Sequence, residues 1–431
     1  MKTRTLFMLN ALVLCLLVFG RAARAQEQTD APKFEIGVQY SSLSVNLPGF
    51  GGTENAVGVG GRVTYNFNDY FAVEAEANLF PSNIRRDYTT GGASQQVQAG
   101  AKVGKRWERF GLFAKARPGF VSYGETLDPV LIQAGNVTGL SYERGRKTHF
   151  STDVGGVLEF YPSRRTLVRF DAGDTIIRYG AHREFRSDIN GTAVASAPSE
   201  TKHNFQFTAG VGFRFGGGSE DAGAAPQSST NGGRLRRFEV GAQFSSLALR
   251  PPATGFGRVD DGGSEAEAGG GLRFGVNASD SLAFEVEGNF YPRRRFGTST
   301  ATGGYPSQLQ AGVKYGRRFQ RFGLFGKARP GLVHFSSVGE VTGYDSFTFA
   351  GQTFFFPNFT FKDKTYFSMD AGGVFEFYPT SRILTRFDVG DTMIRYPERG
   401  NPSTSAVTPP PRLPAELRHN LQVSAGIGFR F

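Results

Sequence analysis

His149 and Ser151 form the one pair of residues in this sequence with an enzyme-like spacing. A histidine that reaches a serine hydroxyl can act as general base for that nucleophile. The sequence contains a second copy of this region, however, and there Tyr366 stands in the place of His149. A lone His-x-Ser spacing also recurs by chance. We therefore expect no catalytic residue and no enzyme activity.

Metal and cofactor sites are not expected either. The other histidines are isolated, and His203 and His419 stand at the starts of predicted strands without the spacing of metal ligands. The glycine-rich stretch at 58–61 lacks the helix that a phosphate-binding loop requires. The charged residues are therefore the remaining candidates for a functional site.

Ionisable side chains of both signs recur in the two copies at the spacing of strand residues. Such groups could line a gated or selective polar pore. The alternative is a structural plug, in which charges too deep to hydrate pair with each other. We favour the plug, because a closed sheet of few strands encloses only enough room for side chains. The predicted ionic network consists of Arg62, Glu74, Glu76, Lys115, Arg117, Asp153, Glu159, Arg169, Asp171, Arg273, Glu285, Glu287, Lys327, Arg329, Asp370, Glu376, Arg386 and Asp388.

Two arginine clusters follow the third strand-like segment of each copy. They are Arg85 with Arg86, and Arg293, Arg294 and Arg295. Guanidinium groups form charge-assisted, often bidentate bonds to phosphate. Contact with phosphates at a lipid surface and a simple solvated loop are both open for these residues.

The elements that position these residues are themselves repeated. The stretch at 34–43 returns at 238–247 with few changes, and the similarity continues through two domain-sized units at 34–215 and 238–431. Residues 216–237 between them are rich in Gly, Ser and Ala and have no apolar face, which is typical of a flexible linker.

Within each copy the apolar residues recur with a period of two. Every second residue from Phe205 to Phe215 is apolar, and the partner set from Leu421 to Phe431 keeps the same phase. Helical spacing cannot generate this pattern, so it predicts strands with one apolar face. Eight segments can be marked in the first copy, near 34–45, 56–67, 70–80, 95–107, 110–123, 149–161, 165–179 and 202–215. Short and long connections alternate between them, so one rim carries tight turns and the other carries loops, as in outer-membrane barrels.

Composition and the N-terminus narrow the class of protein. Glycine supplies 58 of the 431 residues, and a mean hydropathy of −0.30 excludes a helical membrane bundle. An apolar run at 6–19 and a small-x-small pattern ending at Ala25 predict a secretory signal peptide at 1–25. Cys15, the single cysteine, lies in that segment, so disulfides and thiolate sites are not expected. The excess of 11 basic residues falls to 7 without the leader, and the charges are scattered, so nucleic acid is not an expected partner.

The orientation of the apolar face decides between a membrane barrel and a soluble, lipocalin-like one. Full charges occupy strand centres on the opposite face, aromatic residues crowd the strand ends beside the short turns, and a terminal aromatic closes each copy. Interfacial aromatic girdles and a polar interior are typical of membrane barrels. We therefore expect the apolar face to point outward into lipid.

On these residues the chain resembles the small eight-stranded outer-membrane β-barrels of Gram-negative bacteria, such as the OmpA transmembrane domain and OmpX. The alternating segment that ends in Phe429 and Phe431 resembles the signal read by the barrel-assembly machinery in that family. The resemblance implies a cell outer-membrane location, with the arginine clusters placed to meet lipopolysaccharide. It also brings in the outer-membrane lipid A deacylases, which share a His-x-Ser motif, as a third and minor functional alternative.

The predicted fold is all-β, a transmembrane antiparallel up-and-down barrel. Two tandem eight-stranded barrels are favoured, because neighbouring strands of one barrel need only a few residues between them and the linker is much longer. A single sixteen-stranded barrel is the alternative. We expect a non-catalytic protein with a structural or surface-interaction role through long extracellular loops, the alternative being a porin-like channel for small polar solutes. The sequence does not identify a surface ligand.

Overall fold

The computed structural model describes residues 32–48, 52–134, 137–188, 191–216, 236–252, 265–295, 300–406 and 408–431. The predicted signal peptide and nearly all of the predicted linker lie outside these ranges. The described residues form β-strands and the segments that connect them. Among these residues there is no helix with the length and apolar character needed to cross a membrane.

Among the described residues, ten strands form in the first copy and nine in the second. Those of the first copy are β1 (Phe34–Asn46), β2 (Thr53–Asn66), β3 (Phe71–Ile84), β4 (Gly92–Arg106), β5 (Phe110–Ala134), β6 (Val137–Phe160), β7 (Thr166–Tyr179), β8 (His182–Asp188), β9 (Gly191–Ala197) and β10 (Glu200–Phe215). Those of the second copy are β11 (Phe238–Leu249), β12 (Glu265–Asn277), β13 (Leu282–Phe290), β14 (Pro306–Arg318), β15 (Phe322–Phe349), β16 (Gln352–Phe377), β17 (Ile383–Tyr396), β18 (Ser405–Ala406) and β19 (Glu416–Arg430).

Each copy closes into its own antiparallel barrel of eight strands. In the first, β1 to β7 pair in sequence, β7 pairs with β10, and β10 returns to β1 with Phe34 opposite Phe215. In the second, β11 to β17 pair in sequence, and β19 joins β17 to β11 with Glu239 opposite Arg430. The prediction of an antiparallel up-and-down barrel is confirmed, with the strands closing as two barrels.

The two faces of the barrel wall differ as the period of two predicts. Outward-facing apolar side chains are widely exposed on the isolated chain, with Val38 at 66% and Leu272 at 70%. The inward positions hold buried charges, and Arg117 and Arg329 are completely covered. A soluble barrel would show the opposite arrangement, so the apolar surface is the lipid-facing one.

The connections between the fifth and sixth strands of each barrel differ from the sequence-based prediction. Residues 124–148 were expected to be a loop, but β5 and β6 continue as a paired hairpin from Thr126 opposite Gly145 to Ala134 opposite Val137. Glycine and proline in this stretch are typical of loops. They are accommodated because, beyond the backbone hydrogen bond from Leu127 to Asp87, the described part of the hairpin pairs only with itself and is free of the packing demands of the barrel wall. In the predicted loop after the seventh strand, β8 and β9 form a further small hairpin.

The outer walls of the two barrels touch. Phe170 stacks on Phe387 with ring centroids 5.7 Å apart, and Phe207 stacks on Phe244 at 4.2 Å. Phe170 and Phe387 occupy the same position in the two repeats, so this part of the contact is close to two-fold symmetric. At the loop rim, β2 and β12 are joined by one pair of bridge partners.

Candidate functional site

The centre of the first lumen is an ionic layer built around two arginines. Arg117 donates to Asp153 (Nε to Oδ2, 3.1 Å) and to Glu74 (Nη1 to Oε1, 3.1 Å). Arg169 donates to the other oxygen of Glu74 at 2.7 Å and to Asp171 at 2.6 Å. Glu74 on β3 thus links arginines from β5 and β7 across the bore. Each of these side chains points inward because the strand alternation places it there.

Further predicted residues surround this centre. Lys115 lies 2.7 Å from Asp153, and Glu76 accepts a bond from Arg117. Glu159 pairs with Lys102, one level closer to the short turns. Arg62 donates to Gln39 at 3.0 Å and has no ion pair among the described residues within 4 Å.

The second lumen repeats this arrangement with its own residues. Arg329 bonds to Asp370 (Nε to Oδ2, 3.0 Å) and to Glu287, while Arg386 bonds to Glu285 (Nη2 to Oε2, 2.9 Å) and to Asp388. The other predicted members, Lys327, Arg273 and Glu376, are likewise buried. Lys327 lies 2.8 Å from Asp370, Arg273 donates to Gln243 at 3.0 Å, and Glu376 pairs with Lys314.

A second ionic level near the short turns was missed by the sequence analysis. In the first barrel, Lys102 and Arg106 of β4 meet Glu35 of β1 at 3.4 and 3.2 Å, and Arg214 of β10 approaches the same carboxylate at 3.4 Å. Each of these residues has the inward parity of its strand, which is the signal that could have identified them. They lie near strand ends, where inward and interfacial positions are hard to distinguish by sequence.

The second barrel has the same level, with a cluster of carboxylates that could hold a cation. Glu239, Glu285 and Glu376 bring oxygens within 4.8 Å of one another. Lys314 lies among them, with its Nζ 3.2 Å from Glu239 and 3.1 Å from Glu285. The ammonium group therefore supplies the positive charge that these carboxylates require.

Above the ions each lumen is closed by a layer of amides. In the first barrel Gln39 donates to Asn78 at 3.0 Å, Asn78 to Gln96 at 2.9 Å, and Gln96 to Gln206 at 2.9 Å. The second barrel has the same chain of bonds, from Gln243 through Asn289 and Gln308 to Gln422. These bonds span the bore and satisfy polar groups that would otherwise be buried without partners.

A small apolar core then fills the mouth of each barrel on the loop side. The first comprises Leu43, Val45, Leu47, Ala56, Phe80, Ile84, Val121, Tyr123, Ile177 and Tyr179. The second comprises Leu247, Leu249, Tyr291, Ala301, Val333, Phe335, Val338, Tyr366, Ile394 and Tyr396. Among the described residues, an ionic, an amide and an apolar layer thus follow one another along each bore.

His149 and Ser151 lie inside the first barrel and not on its lipid-facing wall. The His149 ring is 4.8 Å from that of Tyr179, and its Nε2 lies 2.9 Å from the carbonyl oxygen of Thr89. Ser151 is fully buried on the same inward face, one level below. A lipid substrate in the membrane would meet the opposite side of this strand.

The arginines of the two predicted clusters form ion pairs with carboxylates at the loop rim. Arg85 lies 3.8 Å from Glu54, and Arg86 bonds to Glu125. Arg293 and Arg295 of the second barrel pair with Glu267, and Arg295 lies 3.0 Å from Glu265. Arg294 also has an interaction partner. Contact between these arginines and lipopolysaccharide stays a prediction.

The closing segment of the second barrel carries the predicted assembly residues. Phe429 and Phe431 are 42% and 55% exposed on the outer wall. Phe431 exchanges two backbone hydrogen bonds with Phe238, which seals the barrel. Their recognition by an assembly machinery stays a prediction.

Several solved structures align with this chain at low sequence identity. Ail, the attachment invasion locus protein of Yersinia pestis, is 15% identical, covering 43% of this chain and 99% of Ail with a TM-score of 0.27. The N-terminal β-barrel domain of Pseudomonas aeruginosa OprF is 13% identical, covering 42% of this chain and 97% of that domain with a TM-score of 0.22. A FadL homologue of the same organism is 10% identical, covering 92% of this chain and 90% of its own length with a TM-score of 0.28. No curated protein matches the chain.

The match to a protein family is more informative. Residues 11–219 match the family described as the outer membrane protein beta-barrel domain. This range contains the whole of the first barrel, from β1 to β10. The second barrel repeats its strand order and the residues of its lumen. The first barrel of this chain therefore belongs to the outer-membrane protein β-barrel family, and its second barrel is a repeat of the first.

Proposed function

We propose that this protein is a non-conducting, non-catalytic outer-membrane protein that uses its two barrels as rigid anchors for long extracellular loops. Family membership implies the outer membrane as its location, and the proposal includes export by a cleaved signal peptide at 1–25. The long hairpins β5–β6 and β15–β16 and the segments after β7 and β17 then form the exposed surface.

The observation that carries this proposal is the filled lumen. Each lumen holds fully buried arginines, although arginine is among the residue types most rarely buried. They are Arg117, Arg169, Arg329 and Arg386. A water-filled pore would hydrate these groups. The amide and apolar layers above them add two further barriers to ions and solutes.

The surroundings of His149 and Ser151, the pair with an enzyme-like spacing, do not favour catalysis. His149 is turned toward Tyr179 and a backbone carbonyl, and both it and Ser151 face the lumen. A general base must lie within hydrogen-bond reach of its substrate's or nucleophile's proton. Here the barrel wall separates these residues from membrane lipid.

Single-channel recording in planar bilayers tests the proposal. The full chain, folded into lipid, is expected to show no stable openings at concentrations where a general porin conducts readily. A matched variant in which Gln206 and Gln422 are replaced by Gly removes one amide from each lumen, and the ionic and apolar layers should keep it closed. Large, long-lived channels from the unmodified chain would show that the lumens are open and would favour the porin-like alternative.

A further inference from the structure

The β15–β16 hairpin extends far beyond the barrel wall. β15 has 28 residues, which at about 3.3 Å per residue reach about 90 Å, whereas a tilted strand crosses a bilayer with about 9–11 residues. Its pairing with β14 ends at Phe335, and beyond that residue it pairs only with β16. The hairpin from residue 336 onward therefore stands outside the membrane that holds the barrel.

The outer end of this hairpin is free of charge. Residues 346–355 contain four phenylalanines and no Asp, Glu, Lys, Arg or His on either strand, and the first charge below the turn is Asp345, which stands opposite Phe356. The β5–β6 hairpin follows the same plan, since residues 129–142 have no charge and lie between Asp128 and Glu143. Exposed surface of this length normally carries charge.

The phenylalanines lie on both faces of the β15–β16 tip. Phe347 stands opposite Phe354 on one face, and Ser346 stands opposite Phe355 on the other. On the first face Phe347 and Phe349 are 59% and 68% exposed beside the turn, and on the second face Phe355 is partly exposed. A protein groove covers one face of a strand pair, whereas fluid hydrocarbon surrounds both.

We propose that the charge-free tip of β15–β16, residues 346–355, inserts into the lipid bilayer of an apposed membrane. The insertion is shallow, because a two-stranded hairpin leaves backbone groups at its edges that hydrocarbon cannot satisfy. Insertion to interfacial depth, about 5–10 Å into the boundary between headgroups and acyl chains, avoids that penalty. This inference rests on the proposed function, since it names the partner of the extracellular surface.

Ion pairs and strand pairing order the tip before it contacts lipid. Below the tip lies the hairpin shaft, residues 336–345 and 356–364, across which Glu340 pairs with Lys362 at 3.0 Å and with Lys364 at 2.8 Å. Within the tip, Phe354 and Phe355 pair with the two residues of β18, which cover part of one edge of the hairpin. Little conformational entropy therefore has to be lost when the tip enters lipid.

The test uses a fluorescent label in lipid. Residues 26–431 contain no cysteine, so Ala350→Cys at the turn can carry an environment-sensitive nitrobenzoxadiazole group on the full chain held in a nanodisc. Phosphatidylcholine vesicles that contain a lipid-borne quencher are then added. We expect a blue shift and quenching at the tip, and neither for the same label at Asp363→Cys on the shaft.

A second variant separates insertion from misfolding. Phe347→Ser and Phe349→Ser together should lower vesicle partitioning at least about tenfold while leaving the heat-modifiable mobility of the barrels unchanged. A label at residue 350 that stays in water, or that responds only to other copies of the protein or to a soluble protein, overturns the lipid partner. The proposed function survives that result if the chain remains non-conducting, whereas large channels would overturn the proposed function whatever the label shows.

Discussion

At the scale of single residues, the lumens are defined by charges that have no access to water. Arg169 neutralises two carboxylates at once, Glu74 at 2.7 Å and Asp171 at 2.6 Å. Transfer of such groups from water carries a large desolvation cost, which their mutual attraction offsets only while every partner is present. The network should therefore respond strongly to the loss of one member.

Replacement of Arg169 by methionine tests this. The variant leaves Glu74 and Asp171 buried without their main counter-charge, so we expect the unfolding free energy to fall by about 3–5 kcal/mol. Urea titration in lipid vesicles measures the change. Adding Glu74→Gln and Asp171→Asn to the same chain removes the stranded charges and should recover part of the loss. A single variant as stable as the parent chain would mean that the pair is hydrated.

The sequence identified the members of this network better than their partners. Strand parity places Glu74, Arg117 and Arg169 inside without any structure. Which of them meet depends on the stagger between strands, which closure of the barrel sets and which no local pattern encodes. The amide layer escaped prediction for a related reason, because Gln and Asn inside a barrel look no different in sequence from Gln and Asn on a surface.

At the scale of strands, glycine determines how closely neighbours approach. A Cβ added at Gly100 of β4 would lie 2.1 Å from the carbonyl oxygen of Ala116 and 2.7 Å from the Cα of Arg117. Gly156 of β6 faces outward and would meet nothing within 4 Å. The two positions therefore form a matched pair in one barrel.

We expect Gly100→Ala to destabilise the first barrel by about 1–3 kcal/mol, as overpacking does in other tight interiors. Gly156→Ala should change stability by no more than about 0.5 kcal/mol. The temperature at which the folded form disappears from unheated gels compares the two variants. Equal effects of the two substitutions on stability would show that β4 and β5 lie farther apart than in this structure.

The hairpin shaft responds to pH through Glu340. Hydrogen bonds from Lys364 and Lys362 lower the pKa of this carboxyl to about 2, from about 4.3 in an unfolded chain. Because the folded-state pKa is the lower one, the stabilisation is present in full above the unfolded value and is lost as the pH falls toward 2. Hydrogen exchange in residues 336–364 should thus stay slow at pH 5 and accelerate near pH 2 to 3, after correction for intrinsic rates. Glu340→Gln should abolish this dependence.

The extension of β5–β6 and β15–β16 shows where strand prediction fails. The predicted segments stop at 123 and resume at 149, where the alternation of apolar and polar residues breaks. That alternation exists because one side of the wall meets lipid and the other a polar lumen. Outside the membrane neither constraint applies, so the strands continue without the alternation of apolar and polar residues.

At the scale of the whole molecule, two separately closed barrels touch through residues that the sequence places on the lipid face. Phe170 and Phe387 contact each other because they occupy equivalent positions in a near two-fold arrangement. Their outward direction follows from strand parity. Strand parity does not show that they contact a second barrel instead of lipid, because lipid and protein select for the same apolar surface.

The direct test of the account compares two adjacent positions on β1. Val38 is 66% exposed and Gln39 is 4% exposed, because successive residues point to opposite sides of the wall. In protein folded into vesicles, a nitrobenzoxadiazole label at Val38→Cys should be quenched by brominated lipid. Gln39→Cys should resist labelling until the barrel is unfolded by heat. Free labelling at position 39 combined with an unquenched label at position 38 would contradict the outward placement of the apolar face, and with it the filled lumen.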